Sequence, residues 1–307
     1  MAPLVWLITG CSSGFGAQFV HSALARGDKV IATGRNAATK LKHLDGTGAA
    51  IVDLDVSLPE AEVKNIVDKA AKIHGRIDVL VNNAGYGFFG AIEETRRLFD
   101  VNVFGALAVT RAVLPHMRAQ QSGTIAFVGS MYAWWTPGMV TAYGAAKGAL
   151  KAIVDGLAAE VRPFNIRTID FEPGFFQTPL TDGANLAQYA SAAPPLDAYA
   201  DQRAAMVAVA AAHDGNERGD VGKGVELMVD VIRGEGRASG RSMPLRLPIG
   251  EDAVKVVEAT CHNMLKVVDA WREEVVGTTD RDEFESDKGI ESIVTVPDIK
   301  LWTYLPW

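Results

Sequence analysis

The feature that most constrains this chain is an alternation. Short runs rich in Val, Ile and Leu, at 5–9, 29–33, 50–54, 78–82, 124–128 and 167–171, are separated by longer segments with helical spacing. Those segments are 17–26, 60–74, 98–119 and 142–161, with Gly-containing stops such as Gly27-Asp28 and Gln121-Ser122-Gly123 between them. Continuous apolar strands suit a parallel sheet buried on both faces. Six β–α alternations therefore predict an α/β fold, an open, doubly wound parallel sheet with helices on either side. The 307 residues would allow two domains, but α/β sheets of 200–250 residues often form one. We expect a single domain over 1–250 followed by a C-terminal helix and tail over 251–307.

The chain changes character after the sixth run. Residues 175–246 are rich in Ala, Pro and Gly and predict short helices around a substrate cleft, a helix at 221–232 and a last strand at 244–247. Residues 251–276 predict a helix with Val254, Val257, Cys261, Met264, Leu265 and Val268 on one face. The apolar, aromatic tail 290–307 is expected to dock, and Pro297 and Pro306 favour an extended strap. The composition, 48% hydrophobic and 22% charged, excludes a disordered scaffold. A net charge of −7 argues against a nucleic-acid or anionic-membrane surface. Two distant cysteines exclude a disulfide framework, and six scattered histidines show no metal-ligand spacing, so no metal is expected. The longest apolar runs are too short to span a bilayer, and a cytoplasmic protein is expected.

Chemistry concentrates where strands end. Thr9-Gly10-Cys11-Ser12-Ser13-Gly14-Phe15-Gly16 links the first strand to the first helix. Its glycines permit close backbone approach, and the helix N-terminus behind them offers free N–H groups to a pyrophosphate. The second strand ends in Thr33-Gly34-Arg35-Asn36, an arginine where a carboxylate would select NAD, which favours NADP. Tyr143 and Lys147 are four residues apart and share a helix face, so the ammonium can favour the phenolate. Ser130 closes the fifth strand, where its hydroxyl can hold a substrate oxygen beside Tyr143. Trp134, Trp135, Met131 and Phe88 read equally as pocket wall or as packing. Cys11 reads as a small filler.

On Thr9–Gly16, Asn82-Asn83-Ala84-Gly85, Asn102, Ser130, Tyr143/Lys147 and Glu172-Pro173-Gly174 with Thr178, the chain resembles the short-chain dehydrogenase/reductase family over about residues 3–280. Gly87–Gly90, Leu114–Met117 and Leu245–Asp252 resemble its 17β-hydroxysteroid and retinol dehydrogenase branch. The resemblance implies a Rossmann-like fold with Tyr143 as general acid/base, Ser130 polarising the carbonyl and Lys147 binding the nicotinamide ribose. Asn102 would hold a proton-relay water. Gly10, Ser12, Ser13, Gly14 and Phe15 would contact the pyrophosphate, Asp55 and Val56 the adenine, and Asn83, Ala84 and Gly85 the ribose. Pro173, Gly174, Phe176 and Thr178 would line the nicotinamide end. Relatives carry several more residues between a segment like 91–95 and Asn102, so the start of that helix is expected to be trimmed.

The expectation is an NADP(H)-dependent ketoreductase, acting on an apolar ketone or aldehyde, and a homodimer or homotetramer. The alternatives are a non-catalytic NADPH-binding sensor and a lyase or epimerase on the same fold.

Overall fold

A computed structural model describes residues 2–94, 97–179, 196–213 and 215–278. Seven strands appear among them: β1 (Val5–Ile8), β2 (Lys29–Gly34), β3 (Ala50–Asp53), β4 (Val79–Asn82), β5 (Gly123–Val128), β6 (Ile166–Pro173) and β7 (Arg246–Ile249). They form one sheet in the order β3-β2-β1-β4-β5-β6-β7, and every neighbouring pair is parallel. The expected doubly wound α/β sheet is present. Its order reverses between β1 and β4, which opens a crevice at the carboxyl ends of the central strands.

The helices are α1 (Gly14–Ala25), α2 (Ala37–Lys40), α3 (Glu60–His74), α4 (Ala106–Gln120), α5 (Thr141–Val161), α6 (Ala200–His213), α7 (Val221–Arg233) and α8 (Glu251–Thr278). They cover both faces, and each sheet face has its own apolar core. Trp6, Ile8, Val30, Val81 and Phe171 pack with Phe19 of α1 and Val225, Met228 and Val229 of α7. Leu7, Ile31, Leu80, Ile125 and Phe127 pack with Val63 and Val67 of α3, Val109 and Val113 of α4, and Leu150 and Val154 of α5. Alternate residues of each strand thus enter opposite cores. The strands read as unbroken apolar runs because both faces are buried.

Several boundaries differ from those the sequence predicts. The last strand occupies 246–249 rather than 244–247, because Leu245 and Ile249 carbonyls accept from Asp170 and Gly174 amides on β6. The helix expected from Leu98 is α-helical only from Ala106; the turns before it, Asp100–Gly105, are π-helical. Such a segment accommodates a local change in residue count without breaking the helix. In the cleft region, α6 is longer than the short helices expected there.

Residues Met1–Val256 form one compact unit, and the remainder of α8 belongs to a second beginning at Val257. The expectation of a docked strap at 290–307 lies outside the described residues. Among the described residues no helix is long and apolar enough to cross a membrane.

Candidate active site

The glycine loop is built by its neighbours as much as by its own residues. Gly10 and Gly14 have φ of 72° and 54°, conformations that favour glycine. A Cβ on Gly10 would sit 2.8 Å from the Ala84 Cα, and one on Gly16 would collide with the Gly10 carbonyl. The loop is tied to the end of β4. The Thr9 hydroxyl accepts from the Asn83 and Ala84 amides, each at 3.0 Å, and donates to the Val81 carbonyl. The Asn83 side-chain amide donates to the carbonyls of Thr9 (2.9 Å) and Gly10 (3.0 Å). Asn83 is thus the brace that holds the loop open. Cys11 is fully buried, its thiol donates to the Ile8 carbonyl, and burial pushes it up to about 12. It is an inert filler.

A cavity of about 310 Å³ runs from this loop across the carboxyl ends of the strands. It is lined by Gly10, Ser12, Ser13, Gly14, Phe15, Arg35, Asp55, Val56, Asn83, Ala84 and Gly85 at one end. Ser130, Tyr143, Lys147, Pro173, Gly174, Phe176 and Thr178 line the other. Every sequence-selected site residue except Asn102 lies on its wall. Asn102 is buried on the π-helical segment, where its Oδ1 accepts from the Tyr86 amide (3.0 Å) and its Nδ2 donates to the Tyr86 carbonyl (2.9 Å). Its side chain therefore fixes the loop after β4.

The polar centre sits where β5 meets α5. Ser130 is extended at the end of β5, and its hydroxyl accepts from the Tyr132 amide at 3.2 Å and bonds the Tyr143 phenol. Tyr143 is buried; burial pushes its phenol above the usual range, and Ser130 opposes that. Lys147, also buried, donates from Nζ to the Val128 carbonyl at 2.7 Å and lies 5.6 Å from the Tyr143 ring centroid. Burial lowers its ammonium to about 8.

Several wall residues escaped the sequence reading. Lys40 joins Arg35 at the far end of the cavity. Tyr132 packs edge-on against both Tyr143 (6.2 Å) and Phe175 (6.1 Å). Tyr86, Phe89, Val140, Met206 and Val209 make the outer wall apolar. Behind the wall, Asp252 at the start of α8 accepts from the Phe175 amide at 2.6 Å and fills the space beside Gly174. A tyrosine following Ser130 by two could have signalled Tyr132; the α6 and Asp252 contributions depend on long-range packing and left no local signal. Phe176 packs against Phe15 at 5.1 Å and closes the core beneath the loop. Neither Trp134 nor Trp135 lines the cavity. The Trp134 indole donates to Glu172 Oε2 at 2.8 Å, and Trp135 is exposed.

A family model described as short chain dehydrogenase matches residues 4–188. An oxidoreductase of Botryotinia fuckeliana, BOA17, is 32% identical over 88% of this chain and 97% of its own. A 3-ketodihydrosphingosine reductase of Bacteroides thetaiotaomicron is 33% identical over 61% of this chain and 70% of its own. The crystal structure of a short-chain dehydrogenase from Streptomyces avermitilis superimposes with a TM-score of 0.75 at 31% identity, covering 91% of this chain and all of that one.

Proposed function

The chain belongs to the short-chain dehydrogenase family of oxidoreductases, and from that premise we propose that it is an NADP(H)-dependent carbonyl reductase acting on apolar ketones or aldehydes. The observation that carries this reading is the convergence of Ser130, Tyr143 and Lys147 on one cavity with a glycine loop. A dinucleotide fits the residues present. The positive-φ turns at Gly10 and Gly14, with the amides at the start of α1, form a cradle that suits a pyrophosphate. Gly10, Ser12, Ser13, Gly14 and Phe15 would hold it, with Asp55 and Val56 at the adenine, Ala84 and Gly85 along the ribose, and Pro173, Gly174 and Thr178 at the nicotinamide end. Arg35, joined by Lys40, supports a 2′-phosphate, since β2 itself ends in Gly34, followed by Arg35, and the carboxylate opposite, Asp53, is spent on the Ala37 amide.

Bound there, the cofactor supplies a hydride to the carbonyl carbon. The protein handles the oxygen. Ser130 and Tyr143 hydrogen-bond it, and Tyr143 donates its proton as charge develops, in general acid catalysis. Lys147 favours the phenolate that results. The aromatic wall of Tyr86, Phe89, Tyr132 and Phe175 excludes water and matches an apolar substrate. Incubation with a panel of apolar carbonyl compounds and NADPH tests the proposal: stoichiometric NADPH oxidation with alcohol formed is expected. Turnover of substrate without net NADPH consumption would point instead to a lyase or epimerase.

A further inference from the structure

The sheet face beneath α5 carries charge where apolar side chains are expected. On β6, Ile169 and Phe171 enter one core and Ile166 enters the other, under α5. Alternation places Thr168, Asp170 and Glu172 on the face of Ile166. Asp170 and Glu172 are fully buried. Both Asp170 oxygens lack a hydrogen-bond partner among the described residues, as does Glu172 Oε1. A buried carboxylate without a partner is costly and needs a compensating charge.

The opposing helix supplies one. Tyr143, Lys147, Lys151 and Asp155 recur every four residues along α5 and form one stripe. Lys147 is buried, and its ammonium has three donors, of which one reaches the Val128 carbonyl. In the ladder, Val128 stands opposite Phe171 and Phe127 opposite Asp170, so Asp170 lies one strand over from the carbonyl that holds Lys147. Its carboxylate fills the space that the missing Cβ of Gly129 leaves open.

The other charged groups nearby have partners of their own, though Arg246 keeps a buried Nε without one and also acts on Asp170. Lys151 lies 3.3 Å from the Trp134 ring centroid, and the same indole bonds Glu172. Arg246, opposite Asp170 on β7, pairs with Asp155. Tyr132 faces Tyr143, and Asp252 acts on Tyr132.

We propose that Asp170 is a positioning residue for the reaction: its buried carboxylate is the counter-charge that keeps Lys147 an ammonium beside Tyr143. The inference rests on the reading of Tyr143 and Lys147 given above. The two groups act on each other. Burial lowers Lys147 and Asp170 pulls it back up; burial first and then Glu172 push Asp170 well above the usual carboxylate range, and Lys147, Arg246 and the Gly129 amide oppose them.

Two measurements test it. The first is a thermal-melting cycle of the cofactor-free protein with Lys147→Met, Asp170→Asn and the double variant. If the groups compensate each other, the double variant loses less than the sum of the two single losses. Should Asp170→Asn fail to fold, folding of the double variant supports the pair. Additive losses, or failure of both, overturn it. The second is the pH dependence of kcat/KM for NADPH-driven reduction. Its alkaline fall in the parent moves down by about one pH unit or more in Asp170→Asn. An unmoved alkaline limb overturns the proposal. Normal turnover in Tyr143→Phe would instead sink the underlying reading, so the two failures are distinguishable.

Discussion

At the residue scale the chemistry comes down to one phenol and one guanidinium. Tyr143 is buried and its phenol is held protonated, which suits a donor in carbonyl reduction. Tyr143→Phe keeps the ring and removes the proton. General acid catalysis is typically worth about 10²–10⁴-fold, so turnover should fall by that order while NADPH still binds, as measured by steady-state rates and fluorescence titration. Arg35 faces the cavity end where a 2′-phosphate would lie. A charge-assisted pair is worth roughly 1.5–3 kcal/mol, so Arg35→Ala should weaken NADPH about 10–150-fold and leave NADH nearly unchanged. Equal losses for both would remove Arg35 from cofactor choice. Tyr143, Lys147 and Ser130 were legible because helix spacing and strand ends are local properties. The roles of the Asn83 and Asn102 side chains were not. Their amides are spent on backbone 73–74 and 16 residues away, and no local pattern records such partners.

Elements were legible where burial is uniform. The five apolar runs of β1 to β5 stand within a residue of where their composition placed them; β1, β2, β4 and β5 are buried on two faces, and the edge strand β3 is half-buried. β6 extends two residues further, to Pro173, and begins one earlier. Glu172 and Pro173 hid its last two residues, although the run through Asp170 reads as a strand. The π-helical entry to α4 was equally silent, because side-chain periodicity does not distinguish an α-turn from a π-turn over six residues. Two elements carry predictions. In α1, a Cβ on Gly16 collides with the Gly10 carbonyl and meets the Asn83 amide at 2.5 Å. Overpacking of this kind costs about 1–3 kcal/mol. Gly16→Ala should therefore lower the melting temperature and displace the glycine loop, with cofactor affinity falling in the same preparation. Between α7 and β2, the Arg233 guanidinium reaches both oxygens of Asp28 at 2.6 Å, with side chains 6% and 0% exposed. Asp28 also accepts from the Leu4 amide and the Trp6 indole. Removing one partner of a buried pair costs about 3–5 kcal/mol, and Arg233→Met should show that loss in denaturant melts without changing the cofactor preference.

For the whole molecule, the buried acids set a pH slope. Glu172 is raised above its ordinary value of 4.5, by burial first, with the Trp134 hydrogen bond opposing. A carboxyl whose folded value is raised holds its proton in the native state after the unfolded chain has released it. Its contribution to stability is therefore full below about pH 4.5 and is lost as pH rises through the folded value. Glu172→Gln should flatten the stability profile on the neutral side of that window, as read by melting at a series of pH values; an unchanged slope would remove Glu172 as its source. The same molecule has an order of assembly written into its contacts. The glycine loop at residues 9–16 is braced by Asn83, separated from Thr9 by 74 positions. At synthesis rates of roughly 5–20 residues per second, the emerging loop waits several seconds for that brace. Lys147 and the carboxylate of Asp170 arrive later still. A nascent chain therefore passes through a stage with the glycine loop's sequence but without the Asn83 brace that shapes it.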